Sequence, residues 1–226
     1  MLDRYSNIIS VSLLAAVFWG FWRGFYEAPV DVNQGEVYRV IFLHVPAAMA
    51  AFFAAFVMFI GSIVGITKKS DSALRWQKSS AEIGLVFTII TLATGSIWGR
   101  PTWGTWWVWD ARLTTTLLLA LLLGGYLLLH QSFMPGISRI RSCSILGIII
   151  FADIPIIYKS VDWWRTLHQG HTMFDREKSP MSPEIKSVLF YCMIIVLLYC
   201  LWLIRERTKV IAMQEKIEQL SMERVK

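Results

Sequence analysis

Charge is scarce in this chain. Only 17% of its 226 residues are charged, against 55% hydrophobic, whereas a soluble domain carries about a quarter charged. With apolar runs close to the roughly 20 residues that cross a bilayer, this excludes a soluble globular protein. Cysteine is scarce too. Cys143, Cys192 and Cys200 lie in apolar runs and form neither a C-x-x-C pair nor a C-x-x-C-H haem-attachment motif. Structural zinc and dithiol chemistry are therefore not expected, and the three read as small buried apolar side chains. No phosphate loop of the form G-x-x-x-x-G-K-S/T and no serine or cysteine nucleophile motif is present, so neither ATP hydrolysis by that route nor acyl transfer is expected. No basic stripe with interleaved aromatics occurs, so nucleic acid is not an expected partner; the net charge of +6 bears on membrane orientation instead. Internal repeats and low-complexity segments are also missing.

What remains is an all-α integral membrane protein. Six spans are expected, at about Ile8–Phe25, Val40–Ile66, Ala81–Trp98, Leu113–Leu129, Cys143–Tyr158 and Ile185–Ile204, each near the length that crosses the bilayer. The first lacks a small-residue cleavage site, and Phe25-Tyr26-Glu27 follows it, so it is expected to be retained. Lys and Arg concentrate on one side: Arg4, the 68–78 connection, Arg139, Arg141 and the C-terminal tail. By the positive-inside rule both termini face the cytoplasm and the connections at 26–39, 99–112 and 159–184 face outward. Two units follow: a six-helix domain over 1–204 and a cytoplasmic tail over 205–226. In the tail Val210, Met213, Ile217 and Leu220 form one apolar stripe of an amphipathic helix, on the membrane surface or against a partner. Asp153 and Pro155 interrupt the fifth span and predict a kink with the carboxylate reaching the interface or a neighbouring helix. Glu82, at the inner end of the third span, can snorkel to water. His130 reads as incidental.

Residues 98–114 read WGRPTWGTWWVWDARLT. An aromatic belt at the membrane boundary accounts for Trp98 and for Trp103. It accounts less well for Trp106, Trp107 and Trp109. Helical neighbours diverge by about 100°, and alternate residues of an extended chain face opposite ways, so aromatic surface is displayed in several directions. A platform for a large, flat, apolar ligand fits better. Asp110 directly precedes the fourth span, where Asp is a favoured helix N-cap; it is also expected to belong to the ligand site, since capping and a site role can coexist. Three histidines map to the same outer side: His44 at the opening of the second span, and His168 and His171 in the last outer connection. Ionisable groups at membrane depth are costly and mark function. Imidazole is the commonest metal ligand and an axial ligand of haem iron. A porphyrin against tryptophans with an imidazole on each face satisfies the set. Arg39, Arg100, Arg112 and Arg165 lie in or beside the outer connections and can fork onto haem propionates. Two other readings stay open, a transmembrane haem transporter and a b-type cytochrome electron carrier. The latter wants histidine pairs on facing helices, and the inner side offers His130 alone.

Three separated stretches carry a resemblance: RVIFLHVPAAMAAF around His44, WGRPTWGTWWVWDARLT, and SVDWWRTLHQG around His168. The second resembles the tryptophan-rich WWD signature of haem-handling proteins in cytochrome c maturation. The three in order, over nearly the whole chain, are similar to the haem exporter protein C (CcmC) family. The resemblance implies six transmembrane helices in the bacterial inner membrane, both termini cytoplasmic, and the Trp-rich connection between helices 3 and 4 on the periplasmic side. It implies haem b (iron protoporphyrin IX) held by His44 and His168 as axial ligands. It also implies delivery to the haem chaperone CcmE, with CcmD and the CcmA–CcmB ATPase as further partners, and presentation of haem rather than enzymatic turnover. His171 has no counterpart in the family's motif.

Overall fold

The computed structural model describes residues 2–168 and 181–224; His171 lies outside them. Among the described residues every regular element is helical. Six helices run in chain order: α1 Leu2–Trp22, α2 Ile41–Lys68, α3 Asp71–Trp103, α4 Ala111–Ser132, α5 Ile137–Trp163 and α6 Pro183–Arg224. A π-helical turn at Arg23–Glu27 prolongs α1, and a 3-10 turn at Glu36–Val40 leads into α2. All six helical stretches are long and apolar enough to cross a membrane, as the hydropathy runs predict.

Local chemistry sets the helix ends. Lys69 adopts a left-handed conformation (φ 49°) that closes α2, and one residue later Ser70 caps α3 by accepting from the Ala73 amide. Gly104 (φ 78°) ends α3, its amide donating to the Arg100 carbonyl, as a left-handed residue just past a helix does. Asp110 caps α4, Oδ1 accepting from the Leu113 amide at 2.8 Å, which is the expected cap. Two helices outrun their expected spans. α3 starts at Asp71 and continues through Trp103, so Trp98, Arg100 and Trp103 stand on helix and the connection to α4 is only residues 104–110. Polarity hid the extension, because Asp71–Ser80 is charged and polar on one face yet buries Ala73, Leu74, Gln77, Ser79 and Ser80 on the other. α6 is one unbroken helix of 42 residues, about 63 Å, so the tail stripe continues a span. Arg207 bonds both carboxylate oxygens of Glu82 (2.5 and 3.1 Å) and Arg75 bonds Glu215 (2.9 Å), tying this extension to α3. Val210, Met213, Ile217 and Leu220 are exposed, and Ile211 faces inward.

α2 is the central helix, packed by α3, α5 and α6. Its inward side is small: Ala47, Ala50, Ala51, Ala54, Ala55, Gly61 and Gly65 are buried. Small residues let helix backbones approach closely inside a bilayer. A Cβ at Gly84 would stand 3.2 Å from the Ala54 Cβ, so α3 sits against α2 at near-minimal distance. Toward the end of the bundle away from the Trp-rich connection, Gln77 is fully buried. Its Nε2 donates to the Gly61 carbonyl (3.0 Å) and to Ser144 Oγ (3.1 Å), while Oε1 accepts from Tyr126 (3.3 Å). One amide thus joins α2, α3, α4 and α5.

Buried polar groups mark the interior of the bundle. Interior polar groups are plentiful on α3, where Thr88, Thr91 and Thr94 join Gln77, Ser79 and Ser80. Asp153 is 5% exposed with no partner for Oδ2 among the described residues, so it turns into the bundle instead of reaching the interface. His130 is buried in the last turn of α4 beside Tyr126. Gln77→Leu should remove the side-chain bonds to Gly61, Ser144 and Tyr126, at about 0.5–1.5 kcal/mol for each. A thermal unfolding midpoint in detergent equal to the parent's would contradict this role.

Candidate functional site

The end of the bundle that carries the Trp-rich connection contains a cavity of about 730 Å³, within the range of pockets for small molecules and cofactors, about 300–1,000 Å³. Phe52, Leu119, Ile157 and Leu189 give it apolar walls, and Asn33, Gln34 and Arg112 supply polar groups. His44 and His168 both line it. Their ring centres are 6.4 Å apart and the planes differ by 35°. A metal bound by both rings needs bonds of about 2.0 Å and about 1.1 Å from each nitrogen to its ring centre, hence a centre-to-centre spacing of about 6 Å. The two rings stand at that spacing, although 124 residues separate them in sequence.

Each histidine is held by a different device. His44 sits one turn into α2 with Nδ1 3.0 Å from Thr94 Oγ1 on α3. Thr94 Oγ1 already donates its proton to the Ile90 carbonyl at 2.7 Å, so it accepts from His44, and the neutral ring carries its proton on Nδ1. That leaves the Nε2 lone pair for a ligand, the usual arrangement of a metal-binding histidine whose other nitrogen is anchored. Gly95 makes room: a Cβ there would lie 3.1 Å from His44 Cε1. Behind the ring stands Trp98, edge to face at 5.8 Å, fixed in turn by Nε1 donating to Gln34 Oε1 (2.7 Å) and by an edge contact with Tyr38. His168 faces Trp103 at 6.5 Å, and Arg112 Nη1 lies 3.3 Å from its Nδ1. A guanidinium only donates, so Nδ1 of His168 accepts and that ring's proton is on Nε2. The two rings therefore take opposite tautomers.

The tryptophan segment divides. Trp98, Trp103 and Trp107 line the cavity. Trp106 and Trp109 are 57% and 77% exposed and do not. Trp107 brings a donor: its Nε1 is buried with no hydrogen-bond partner among the described residues, a cost relieved by an acceptor in the cavity. Ser96 Oγ donates to the Trp106 carbonyl (2.7 Å) and holds the connection to α3. A Cβ at Gly99 would meet Trp103 Cε3 at 2.9 Å, so the glycine is what lets that ring fold back along the helix. The arginines divide as well. Arg112 lines the cavity, whereas Arg100 is exposed and donates to the Gly104 carbonyl, a helix-end contact outside it. Arg39 bonds Glu36 and the Gly24 carbonyl. Asp110 is not a lining residue; besides capping α4 it accepts from Thr166 through Oδ2. Thr94, Gly95, Gln34 and Tyr38 carried no signal in the sequence, because each acts only through a neighbour brought up by the fold.

In ¹⁵N-histidine spectra of the neutral rings, His44 should report the Nδ1–H tautomer and His168 the Nε2–H tautomer. Thr94→Val should leave His44 a mixture while His168 is unchanged; identical tautomers for both rings would contradict the assigned hydrogen bonds.

The comparisons with known proteins cover most of the chain. The family model described as Heme exporter protein C (CcmC) matches residues 1–223. The Heme exporter protein C of Escherichia coli (strain K12) is 40% identical over 208 residues, covering 91% of this chain and 82% of that protein. That of Haemophilus influenzae is 36% identical over 212 residues, 94% and 86% of the two chains. A mitochondrial ccmC-like protein of Marchantia polymorpha, whose name places it in cytochrome c biosynthesis, is 40% identical over 166 residues, 74% and 70%.

Proposed function

The chain belongs to the haem exporter protein C family, and from that premise we propose that it binds haem in the cavity between His44 and His168 and presents it to a haem chaperone. The single observation carrying this reading is the 6.4 Å spacing of the two imidazoles inside a cavity of cofactor size. Haem b is the cargo, and the residues fit it. His44 offers Nε2 from a ring already braced by Thr94 and Trp98. Trp98, Trp103 and Trp107 supply aromatic surface at the cavity wall, and apolar walls suit the macrocycle. The unpartnered Trp107 indole N–H and the Arg112 guanidinium are donors for propionate oxygens.

Arg112 has a further part in the reading. With iron on Nε2, His168 must carry its proton on Nδ1, where it opposes the guanidinium N–H. Arg112 then leaves His168 for an acceptor, and a propionate supplies one. Charge on the porphyrin and ligation by His168 are thereby linked through one side chain. Arg100, whose group is spent on the end of α3, has no such part.

The chain presents haem to CcmE over the end of the bundle at which the cavity lies, in the bacterial inner membrane with that end facing the periplasm. CcmD and the CcmA–CcmB ATPase complete the assembly, the ATPase supplying the energy for release. The protein holds and orients haem; it does not turn over a substrate. The exposed Trp106 and Trp109, at the margin of the site, suit the membrane boundary or the chaperone.

Haem-loaded protein purified from membranes should show a low-spin bis-imidazole absorption spectrum, weakened in His44→Ala and in His168→Ala and restored by added imidazole. A haem signal indifferent to both substitutions would sink the ligand assignment. Arg112→Ala should weaken haem binding about tenfold, the worth of one charge-assisted hydrogen bond, and Arg100→Ala should leave it unchanged. With the dimethyl ester of haem, which lacks the propionate charge, Arg112→Ala should bind at least as well as the parent.

A further inference from the structure

Asp110 does more than cap a helix. Its Oδ1 accepts from the Leu113 amide at 2.8 Å, which completes the first turn of α4. Its Oδ2 accepts from the hydroxyl of Thr166, a residue of the last connection that the cavity itself does not use. The same hydroxyl oxygen accepts from the backbone amide of His168 at 3.0 Å. Three hydrogen bonds therefore run in series from the start of α4 to the residue that carries the second imidazole.

The direction of the series is forced. An ionised carboxylate has no proton to give, so Thr166 must donate to Asp110, and its lone pairs are left for the His168 N–H. A hydroxyl is the only group of this size that can do both. Mechanical need is plain as well. α5 ends at Trp163, and the Trp164 amide makes the closing bond to the Ser160 carbonyl. Residues 164–168 form no regular element, yet His168 must be held against a ring on α2. Side-chain contacts alone would leave its backbone to pivot about Trp164.

We propose that Asp110 and Thr166 are positioning residues: a carboxylate–hydroxyl latch that fixes the His168 backbone to the N-terminus of α4 and so sets the spacing of the two histidines. This rests on the reading of His168 as an iron ligand, and it gives the aspartate that ends the tryptophan segment a task distinct from haem contact. The latch also explains why that aspartate adjoins Arg112: both groups act on His168 from one turn of α4, the carboxylate on its backbone and the guanidinium on its ring.

The test uses the full chain in detergent, with haem b as the probe. Thr166→Val keeps the shape and removes the hydroxyl. It should retain haem through His44 but shift the spectrum from six-coordinate low-spin to five-coordinate high-spin. Thr166→Ser should restore the parent spectrum, and so should imidazole added to Thr166→Val. Asp110→Ser keeps a cap acceptor for α4 but has no second oxygen for Thr166. It should follow Thr166→Val with α4 intact, and it carries the test should Thr166→Val fail to fold. A low-spin spectrum undiminished in both variants overturns the latch. A parent protein without a bis-imidazole spectrum overturns the ligand reading instead. The latch is then read in the haem-free chain, by hydrogen exchange at the His168 amide. Thr166→Val should exchange there about tenfold faster, the worth of one hydrogen bond, and equal rates overturn it.

Discussion

The contact on which the rest depends is the close approach of α2 and α3. It is made at small residues: Gly84 of α3 stands against Ala54 of α2, and Gly61 of α2 against Ala73 and Gln77 of α3. In lipid there is no hydrophobic gain in bringing two apolar helices together, so the gain comes from dispersion between surfaces that fit. The fit extends to the Trp-rich end, where Gly95 leaves just the space that the His44 ring fills. Because the backbones are near their closest distance, Thr94 reaches the ring directly. Widening this contact would loosen the imidazole before it unfolded anything.

Around that pair the bundle sorts its polar groups by height. The cavity at the Trp-rich end has hydroxyls on its α3 wall, Thr88 and Thr91, but those protons are donated to carbonyls of their own helix, at Gly84 and Phe87. Each hydroxyl therefore presents lone pairs without adding an unsatisfied donor. Toward the opposite end the amide of Gln77 joins four helices. Between the two lies a layer of Ala54, Gly84 and Leu123, with Met58, Ala55 and Leu119 in the same apolar cluster. Polar groups on α3 are thus numerous but interrupted.

The tryptophan-rich stretch shows how one motif serves several purposes. Trp98 braces a histidine, Trp103 faces the other, and Trp107 lines the wall with a spare N–H. Trp106 and Trp109 stay outside. Trp98 and Trp103 ride on α3. Beyond Gly104 the chain is irregular: Trp107 turns to the cavity, and Trp109, edge-on to it at 5.5 Å, stays exposed. Asp110 then closes the stretch by serving two neighbours through its two oxygens.

Hydropathy alone determined six spans, because a bilayer demands about 20 apolar residues whatever the neighbours are. The Asp110 cap was legible for a like reason, because few residue types cap a helix; residue type drew attention to the outer histidines, but the choice of His168 over His171 came from the family resemblance. Only the tertiary structure decided that α3 begins at Asp71, since its polar turns are stabilised by burial against α2 and by Arg207 and Glu215 from α6. It separated Arg112 from Arg100 and three tryptophans from two, which side-chain type cannot do. It also brought in Thr94, Gln34 and Thr166. These short polar side chains are common everywhere in sequence, and they gain a role only through the one donor or acceptor the fold puts within 3 Å or so of them.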